Sequence, residues 1–334
     1  MNRQAFVVLC CLPTFCAAVS GEDKPRILRG HEDAVQHVTF SPDANRVGSV
    51  GLDNKALLWD AETGNLIHRC SGRWQIAFLD RGKSFVTCDG SRLQIWDSVS
   101  GRLIREERRP IRSLGAGHKC DWFACAESYE TGIVGFVSDS ERVKSHFRLP
   151  SLHNGRLADV SRDGKWIAFT ARGQFGLLNV DDSSLRHVSS TSSGILPAGV
   201  FSAEFSADAS QLLICQRDQI SLYDGSRLKT DVLIKHGGSR WQDRPYSSDI
   251  QMFRDATFVA SKGLVAIAVN FTKPDATNGF RIDLMEIVTK TVRRSISADR
   301  LPTSVACAVD GSALAAGFPD GTVRVWDLDL ENDE

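Results

Sequence analysis

The sequence predicts an all-β protein built from seven copies of one structural unit. Three observations support this prediction: an apolar residue followed by an acid recurs along the chain, a tight turn precedes it at a nearly fixed distance, and no stretch keeps helical spacing over the length that a helix needs. With 334 residues the chain suits either two ordinary domains or one large closed repeat architecture. The repeat favours the second.

The first repeated mark stands at the end of a short predicted strand. It is strongest at Trp59-Asp60, Trp96-Asp97, Tyr223-Asp224 and Trp326-Asp327, with weaker forms at Val180-Asp181, Met285-Glu286 and near Asp139. Successive acids are 37, 42, 42, 43, 62 and 41 residues apart. Six intervals imply seven units, and only the 62-residue interval is abnormal.

The second mark is a turn containing Asp or Gly, 16 to 18 residues before the acid in five of the units. The five turns contain Asp43, Asp80, Asp163, Asp208 and Asp310. Each lies between two short apolar runs, a pattern typical of antiparallel hairpins. The units are therefore expected to be small antiparallel sheets.

With both marks in register, the chain resembles the WD-repeat (WD40) β-propeller family from about residue 24 to residue 329. The first unit carries the likeness most fully, with Gly30-His31 before its first strand and Leu52-Asp53-Asn54-Lys55 in its second hairpin. The resemblance implies four-stranded antiparallel blades around a central channel. We therefore expect a seven-bladed β-propeller over residues 24–329, followed by a short acidic tail at 330–334.

A propeller must close its ring, because a lone blade cannot bury both of its apolar faces. The last unit ends at Asp327 and then becomes polar, so it lacks an outer strand. The segment from Lys24 to Leu28 precedes the first unit and has no blade of its own. We expect it to be the outer strand of the seventh blade, where Pro25 is tolerated because an outer strand has one unpaired edge.

The resemblance also implies a structural role for four residues of the first unit. His31 would bond to the hairpin residue Asp53, with the Ser49 hydroxyl and the Trp59 indole as further members. Such a network satisfies buried polar groups and fixes the blade geometry. The alternative interpretation is a hydrolytic triad of Ser49, His31 and Asp53. It is disfavoured because Ser49 lies inside a predicted strand, and no exposed elbow or oxyanion donor is indicated.

The first 20 residues have the layout of a cleaved secretory signal. A head with Arg3 precedes an apolar run, and the small-x-small sequence Ala18-Val19-Ser20 follows. An uncleaved membrane anchor and a buried strand are the alternatives. We expect an exported protein of bacterial type, periplasmic or secreted, without a stable membrane span once the signal is removed.

Charge and cysteine content exclude several other classes. Forty Lys and Arg against 41 Asp and Glu give a net charge of -1, which argues against nucleic acid as the main partner. Outside the leader, the cysteines are widely scattered and have no metal-binding spacing. Cys215 and Cys307 lie inside apolar runs and are expected to be small buried residues. No metal site and no cofactor is expected.

Candidate binding residues come from the abnormal 62-residue interval. It contains two insertions, 236–249 and 270–279, which connectivity assigns to one blade and to the face where inner strands begin, here called the top face. Long loops often carry function. The candidates within them, of types that dominate interfaces, are Arg240, Trp241, Arg244, Tyr246, Phe271 and Lys273. The alternative is an ordered flap that packs its own aromatic residues against the blade beneath.

Five further candidates lie near the starts of other inner strands: Arg73, Trp74, Arg112, Arg156 and Arg300. Several arginines at strand entries would give the channel a positive mouth. The alternative is ordinary solvated charge.

The resemblance implies a non-enzymatic scaffold that binds a protein or peptide partner on a rigid top-face surface. We also expect the scaffold to be a monomer. The chain has no phosphate loop, no nucleophile elbow and no paired carboxylates at suggestive spacing. Two alternatives stay open. An exported propeller could bind or hydrolyse a small ligand at the channel mouth, which would need acids and histidines converging from several blades, such as His153 with Asp249. The chain could also be a detached module of a larger sensing or assembly system.

Overall fold

The structure is a computed structural model of the chain. It describes residues 24–108, 110–111, 113–116, 122–126, 131–136, 143–148, 156–161, 163–171, 174–182, 184–188, 200–224, 229–235, 250–259, 263–272 and 277–329. The leader at 1–20, the tail at 330–334 and the insertion at 236–249 lie outside the described residues.

The described strands form seven antiparallel sheets of four strands each. One short strand, β1 (Arg26–Arg29), precedes the first sheet. Blade 1 contains β2 (Val35–Phe40), β3 (Arg46–Gly51), β4 (Lys55–Asp60) and β5 (Leu66–Ser71). Blade 2 contains β6 (Ala77–Leu79), β7 (Ser84–Cys88), β8 (Arg92–Asp97) and β9 (Leu103–Arg108), with a 3-10 turn at Asp80–Gly82. Blade 3 contains β10 (Ser113–Ala116), β11 (Trp122–Ala126), β12 (Thr131–Phe136) and β13 (Val143–Arg148).

The remaining blades follow the same order from inner to outer strand. Blade 4 contains β14 (Arg156–Val160), β15 (Trp166–Ala171), β16 (Gln174–Asn179) and β17 (Leu185–Val188). Blade 5 contains β18 (Val200–Phe205), β19 (Gln211–Gln216), β20 (Gln219–Asp224) and β21 (Lys229–Lys235). Blade 6 contains β22 (Ile250–Val259), β23 (Leu264–Thr272), β24 (Asn278–Glu286) and β25 (Val292–Ala298). Blade 7 contains β26 (Ser304–Cys307), β27 (Ala313–Gly317) and β28 (Thr322–Asp327), together with β1. The predicted all-β fold of four-stranded blades is confirmed.

Asp side chains stabilise the turns that join the first and second strands of several blades. In blade 1, Asp43 Oδ1 accepts hydrogen bonds from the Ser41 hydroxyl at 2.5 Å and from the Asn45 N–H at 3.2 Å, while Ala44 adopts a left-handed φ of 61°. Asp163 and Asp208 make the equivalent contacts in blades 4 and 5. A short polar side chain that bonds its own backbone two residues on is what makes Asp a turn former.

The apolar core consists of clusters that lie between consecutive blades. One cluster joins Val38 and Trp59 of blade 1 to Leu28, Val323 and Val325 of blade 7. Further clusters join blades 1 and 2, 2 and 3, 3 and 4, 4 and 5, 5 and 6, and 6 and 7. Each blade therefore buries both faces against its neighbours, and the sheets form a closed ring.

Strand β1 closes that ring. It pairs antiparallel with β28, with Leu28 opposite Val323. Leu28 is 1% exposed, whereas Ile27 on the other face of the strand is 47% exposed. The Arg26 guanidinium donates two hydrogen bonds to the Asp327 carboxylate, at 2.7 and 2.6 Å. This is the closing strand that the sequence predicted, but it begins two residues later, after Pro25, and ends one residue later than expected.

Blade 6 has the longest strands, with ten residues in β22 and nine in each of β23 and β24. Its second hairpin therefore extends past the second and third strands of the other blades, which have five or six residues. Part of the abnormal interval is thus added strand length rather than loop, which corrects the expectation of a loop over 270–279.

Candidate functional site

Four side chains of blade 1 form a continuous hydrogen-bond network beneath the surface. His31 Nδ1 lies 3.1 Å from both Asp53 carboxylate oxygens, and His31 Nε2 lies 2.8 Å from Ser49 Oγ. The Trp59 indole N–H donates to the same Ser49 oxygen at 2.9 Å. Asp53 also accepts the backbone N–H groups of Glu32 and Lys55.

One protonation state satisfies the network without a charged imidazole. With the proton on Nδ1, His31 donates to Asp53 and accepts the Ser49 hydroxyl at Nε2, while Ser49 accepts from Trp59. Burial lowers the pKa of His31, in favour of this neutral form. Burial raises the pKa of Asp53, but hydrogen bonds from the N–H of Glu32, from His31 and from the N–H of Lys55 outweigh it, so the net pKa lies below its usual value.

The geometry of Ser49, His31 and Asp53 resembles that of a hydrolytic triad, but its surroundings do not. Ser49 is fully buried, and its oxygen is already occupied by the Trp59 indole. A nucleophile needs an open path to its substrate. The network therefore fixes the hairpins of blade 1 and does not reach solvent.

Other blades keep parts of this arrangement. In blade 2 the Trp96 indole donates to Thr87 Oγ1 at 3.0 Å, the same pairing of strand positions as Trp59 with Ser49. In blade 7, Ala316 occupies the position of Ser49, and the Trp326 ring packs against the Phe318 ring instead, with 6.4 Å between the ring centroids. Apolar contact thus replaces the hydroxyl in the last blade.

The seven inner strands surround a central cavity of about 380 Å³. The strand pairing places one residue of several blades at the same depth in it, and Gln75 has the corresponding position two residues before β6. These six lining residues, here called the channel layer, are His37, Gln75, Ser113, Ser202, Asp255 and Ser304. All six are polar, so this layer of the cavity consists of hydrogen-bonding groups.

Several of these polar groups link one blade to the next. Ser113 Oγ accepts the Leu157 N–H at 3.0 Å, and Asp255 Oδ2 accepts the Val305 N–H at 2.8 Å. Ser304 Oγ completes the series by accepting the Val38 N–H at 3.3 Å.

A deeper layer repeats the pattern with two acids. Asp159 Oδ2 accepts the Phe205 N–H at 2.7 Å, and Glu204 Oε2 accepts the Phe258 N–H at 3.3 Å. Together with Asp255, acids from three consecutive blades therefore lie near the channel. Because each accepts a backbone N–H from the following blade, their first role is to satisfy buried backbone donors at blade interfaces.

The carboxyl of Asp255 has a raised pKa. Burial raises it, and hydrogen bonds from neighbouring hydroxyls, Val305 N–H and Ala256 N–H lower it less than burial raises it. Asp255 is 8% exposed and belongs to the channel layer.

In blades 1, 2, 5, 6 and 7, the residue just before the channel layer lines the entrance on the top face, here called the channel mouth. In blades 1, 5 and 6 this residue, respectively Gln36, Phe201 and Arg254, is the extra residue of a β-bulge. A bulge leaves one residue unpaired and turns its side chain away from the regular pleat. All three line the cavity.

Two aromatic residues at the channel mouth carry stacked arginines. The guanidinium carbon of Arg254 lies 5.1 Å from the ring centroid of Phe201, and that of Arg73 lies 5.0 Å from the ring centroid of Trp74. Trp74 has a left-handed φ of 68°, a strained conformation for so bulky a residue. Such strain is often found at binding sites, where the surrounding structure maintains it.

The structure distributes the predicted binding residues over several places. Trp74 lies at the channel mouth, Arg73 stacks on its ring from outside the cavity lining, and Arg156 begins β14 at the same end. Arg300 is outside the cavity lining, with its Nε 3.7 Å from Asp320. The other candidates that lie outside the described residues are Arg112, Arg240, Trp241, Arg244, Tyr246 and Lys273.

Phe271 lies on the blade-6 hairpin and packs on that hairpin. It is paired across the strands with Gly279, whose missing side chain leaves room for the ring, and Arg281 stacks on it at 4.5 Å. An aromatic ring over a cross-strand glycine stabilises a hairpin. For this residue the contacts favour the alternative of self-packing over the interface interpretation.

Sequence reasoning missed Phe201, Arg254 and the inner-strand acids. A signal for the acids was present, because each is the single carboxylate of a short predicted inner strand, as in LADV, SAEF and RDATF. Nothing comparable marks Phe201 or Arg254, since their placement depends on bulges.

The described residues add three further findings. Cys70, Cys88, Cys125, Cys215 and Cys307 are buried, as expected for Cys215 and Cys307, which were predicted to be core residues. Burial raises the pKa of Cys70 to about 12. Within the described ranges, no group of three potential metal ligands occurs, and none of the helices could traverse a bilayer.

Comparison with known proteins matches the two strongest repeats to a family. Residues 22–60 and 292–327 match the WD40 family, described as "WD domain, G-beta repeat". Similar proteins include the small ribosomal subunit protein RACK1 of Caenorhabditis elegans, 29% identical over 34% of this chain and 37% of the relative. A guanine nucleotide-binding protein subunit beta of Nicotiana tabacum is 29% identical over 28% of this chain and 26% of the relative.

A third relative is the transcriptional corepressor LEUNIG_HOMOLOG of Arabidopsis thaliana, 27% identical over 35% of this chain and 14% of the relative. The matched part thus spans well under half the length of each of these three relatives. Residues 22–60 and 292–327 of this chain are thus similar to WD40 repeats, and the four-stranded antiparallel blades of the structure fit that similarity.

Proposed function

We propose that this protein is a non-enzymatic scaffold that binds a protein or peptide partner at the channel mouth on its top face. One observation carries the proposal: the bulged Phe201 remains 40% exposed at the entrance to the cavity, opposite the strained Trp74. Aromatic anchors beside a cavity are typical of the residues that dominate binding energy. The scaffold itself is rigid, because closed blade interfaces surround the site.

The names of two relatives are consistent with this function. One is a protein of the small ribosomal subunit and another is a subunit of a guanine nucleotide-binding protein, so each is named as part of an assembly. We extend that general role to this chain as a monomeric binding module, with the partner a separate polypeptide.

The alternative of a ligand-hydrolysing propeller receives less support. Acids from three blades do approach the channel, but Asp159, Glu204 and Asp255 each accept a backbone N–H of the next blade. A general base needs a free lone pair directed at substrate. These contacts favour a structural use of the three acids.

Cross-linking in expressing cells, followed by affinity purification and mass spectrometry, tests the scaffold function. Phe201→Ala should remove one specific partner that wild type retains, because it deletes an exposed anchor at the channel mouth. Val288→Ala is the matched control, since Val288 is an 84% exposed apolar residue in the turn between β24 and β25, outside the cavity lining. Retention of every partner by Phe201→Ala would remove the channel mouth as the binding site.

Export is part of the same proposal and rests on residues 1–20. The positive head, the apolar run and the Ala18-Val19-Ser20 sequence support a cleaved signal and a periplasmic or secreted protein. N-terminal sequencing of the mature protein should give a start near Gly21. An intact Met1 in the cytoplasmic fraction alone would contradict it.

A further inference from the structure

We infer that the channel mouth recognises the side-chain carboxylate of an acidic, partly apolar peptide segment. This inference names the chemistry of the partner and rests on the proposed protein-binding function. Two arginine–aromatic pairs at the mouth carry it, together with the acids that lie beneath them.

Both arginines at the mouth have guanidinium edges available for a ligand. Arg254 stacks on Phe201 and Arg73 on Trp74, and neither forms an ion pair with any carboxylate that the structure describes. Stacking uses the face of a guanidinium and leaves its N–H edge directed outward, which suits two parallel bonds to a carboxylate. The aromatic ring also fixes the orientation of the fork before a ligand arrives.

Other arginines on the same face are already neutralised. Arg281 stacks on Phe271 but donates to Asp283 at 2.8 Å, and Arg300 lies 3.7 Å from Asp320. Arg73 and Arg254 therefore differ from them by lacking an acidic partner in the described part of the chain. An external anion bound at the mouth would therefore pair with the positive charges of Arg73 and Arg254.

The surroundings of the two pairs specify the rest of the ligand. Phe201 and the 50% exposed Leu52 line the same cavity as Trp74. Burying such groups is favourable by about 25 cal/mol per Å² of apolar surface. A segment that alternates acidic and apolar residues would satisfy the arginines and cover these side chains together.

The acids below the mouth limit the charge that the site accepts. Asp255 follows Arg254 directly in the channel layer, and Glu204 also lines the cavity. Their carboxyl oxygens accept backbone N–H groups and cannot turn to bind a cation without breaking those bonds. A ligand must lose hydration to enter this partly enclosed site, and a doubly charged phosphate loses more of it than a singly charged carboxylate does. The site therefore suits Asp or Glu rather than a phosphorylated residue.

Fluorescence anisotropy with defined probes tests the inference. The probe is a fluorescein-labelled peptide of alternating Glu and Leu, compared with its Gln-for-Glu and phosphoserine-for-Glu counterparts. The full chain is used as wild type, Arg73→Gln, Arg254→Gln and the control Arg293→Gln. Arg293 suits the control because it is exposed and pairs with Glu286 on the outer edge of blade 6, away from the cavity.

Wild type should bind the Glu peptide at least about tenfold more tightly than the Gln peptide and more tightly than the phosphoserine peptide, because a charged hydrogen bond is worth roughly 1.5–3 kcal/mol. Arg73→Gln and Arg254→Gln should each lose about tenfold, with urea midpoints unchanged, while Arg293→Gln binds as wild type does. Equal binding of the Glu and Gln peptides, no binding of the Glu peptide, or tighter binding of the phosphoserine peptide would overturn the inference. If the cross-linked partner still depends on Phe201 in that case, the proposed function stands and only the carboxylate chemistry fails.

Discussion

Truncating Leu28 to alanine should destabilise the whole ring, because this one side chain anchors the closing strand. Leu28 is 1% exposed and packs with Trp59, Val323 and Val325 between blades 7 and 1. The change removes three carbons, worth roughly 0.8 kcal/mol each in transfer free energy, and leaves a cavity lined by a tryptophan and two valines. We expect a loss of about 2–5 kcal/mol in the free energy of unfolding, the range for buried Leu to Ala.

The matched control lies next to it on the same strand. Ile27→Ala removes a similar volume from a side chain that is 47% exposed, so it should cost less than about 1 kcal/mol. Urea unfolding followed by tryptophan fluorescence measures both variants, with Trp59 and Trp326 reporting on the two blades that Leu28 joins. Equal losses for Leu28→Ala and Ile27→Ala, or a Leu28→Ala loss below about 1 kcal/mol, would refute the strand register and the closure.

Three further predictions concern buried polar groups. Trp59→Ala should lower the free energy of unfolding by about 3–5 kcal/mol. Ser49→Ala should lower it by about 1–3 kcal/mol, because it leaves the His31 ring and the indole N–H without their partner. A Trp59→Ala loss below about 1 kcal/mol in urea titrations would mean that the network is misplaced. Since burial holds the pKa of His31 below 6.5, the unfolded chain takes up the proton first, so this residue makes the protein less stable as pH falls from 6.5 through the folded pKa. His31→Gln should show a smaller stability loss than wild type across that window, and identical thermal melting profiles against pH would contradict the neutral buried imidazole. Asp255→Ala should cost about 1–3 kcal/mol because it orphans the Val305 N–H, and hydrogen exchange at that amide should become faster; an unchanged rate would show that the bond contributes nothing.

The features that could be predicted from the sequence are those that short-range chemistry dictates. Asp43, Asp163 and Asp208 form the expected turns because the side chain bonds to backbone two residues away. The closing strand was also predictable. The last unit lacks an outer strand after Asp327, the segment before blade 1 has no blade of its own, and pairing the two completes blade 7. Blade 2 departs from the pattern, since Asp80 and Arg81 adopt left-handed conformations within a 3-10 turn.

The channel mouth was only partly predictable. Arg73 and Trp74 were identified by their place before an inner strand, but the strained backbone of Trp74 leaves no mark in the sequence. Phe201 and Arg254 face the cavity because of β-bulges, and a bulge is decided by the pairing partner rather than by the residue itself. A strict period-two pattern would have given these residues the opposite orientation.

The pairing of β1 with β28 has a consequence for biosynthesis. Arg26 meets its partner Asp327 only after 301 further residues have left the ribosome. Until then β1 lacks its pairing partner, and blades 1 and 7 each keep an apolar face uncovered. Ring closure therefore has to wait for the whole repeat array, and contacts of such long sequence separation are expected to form slowly.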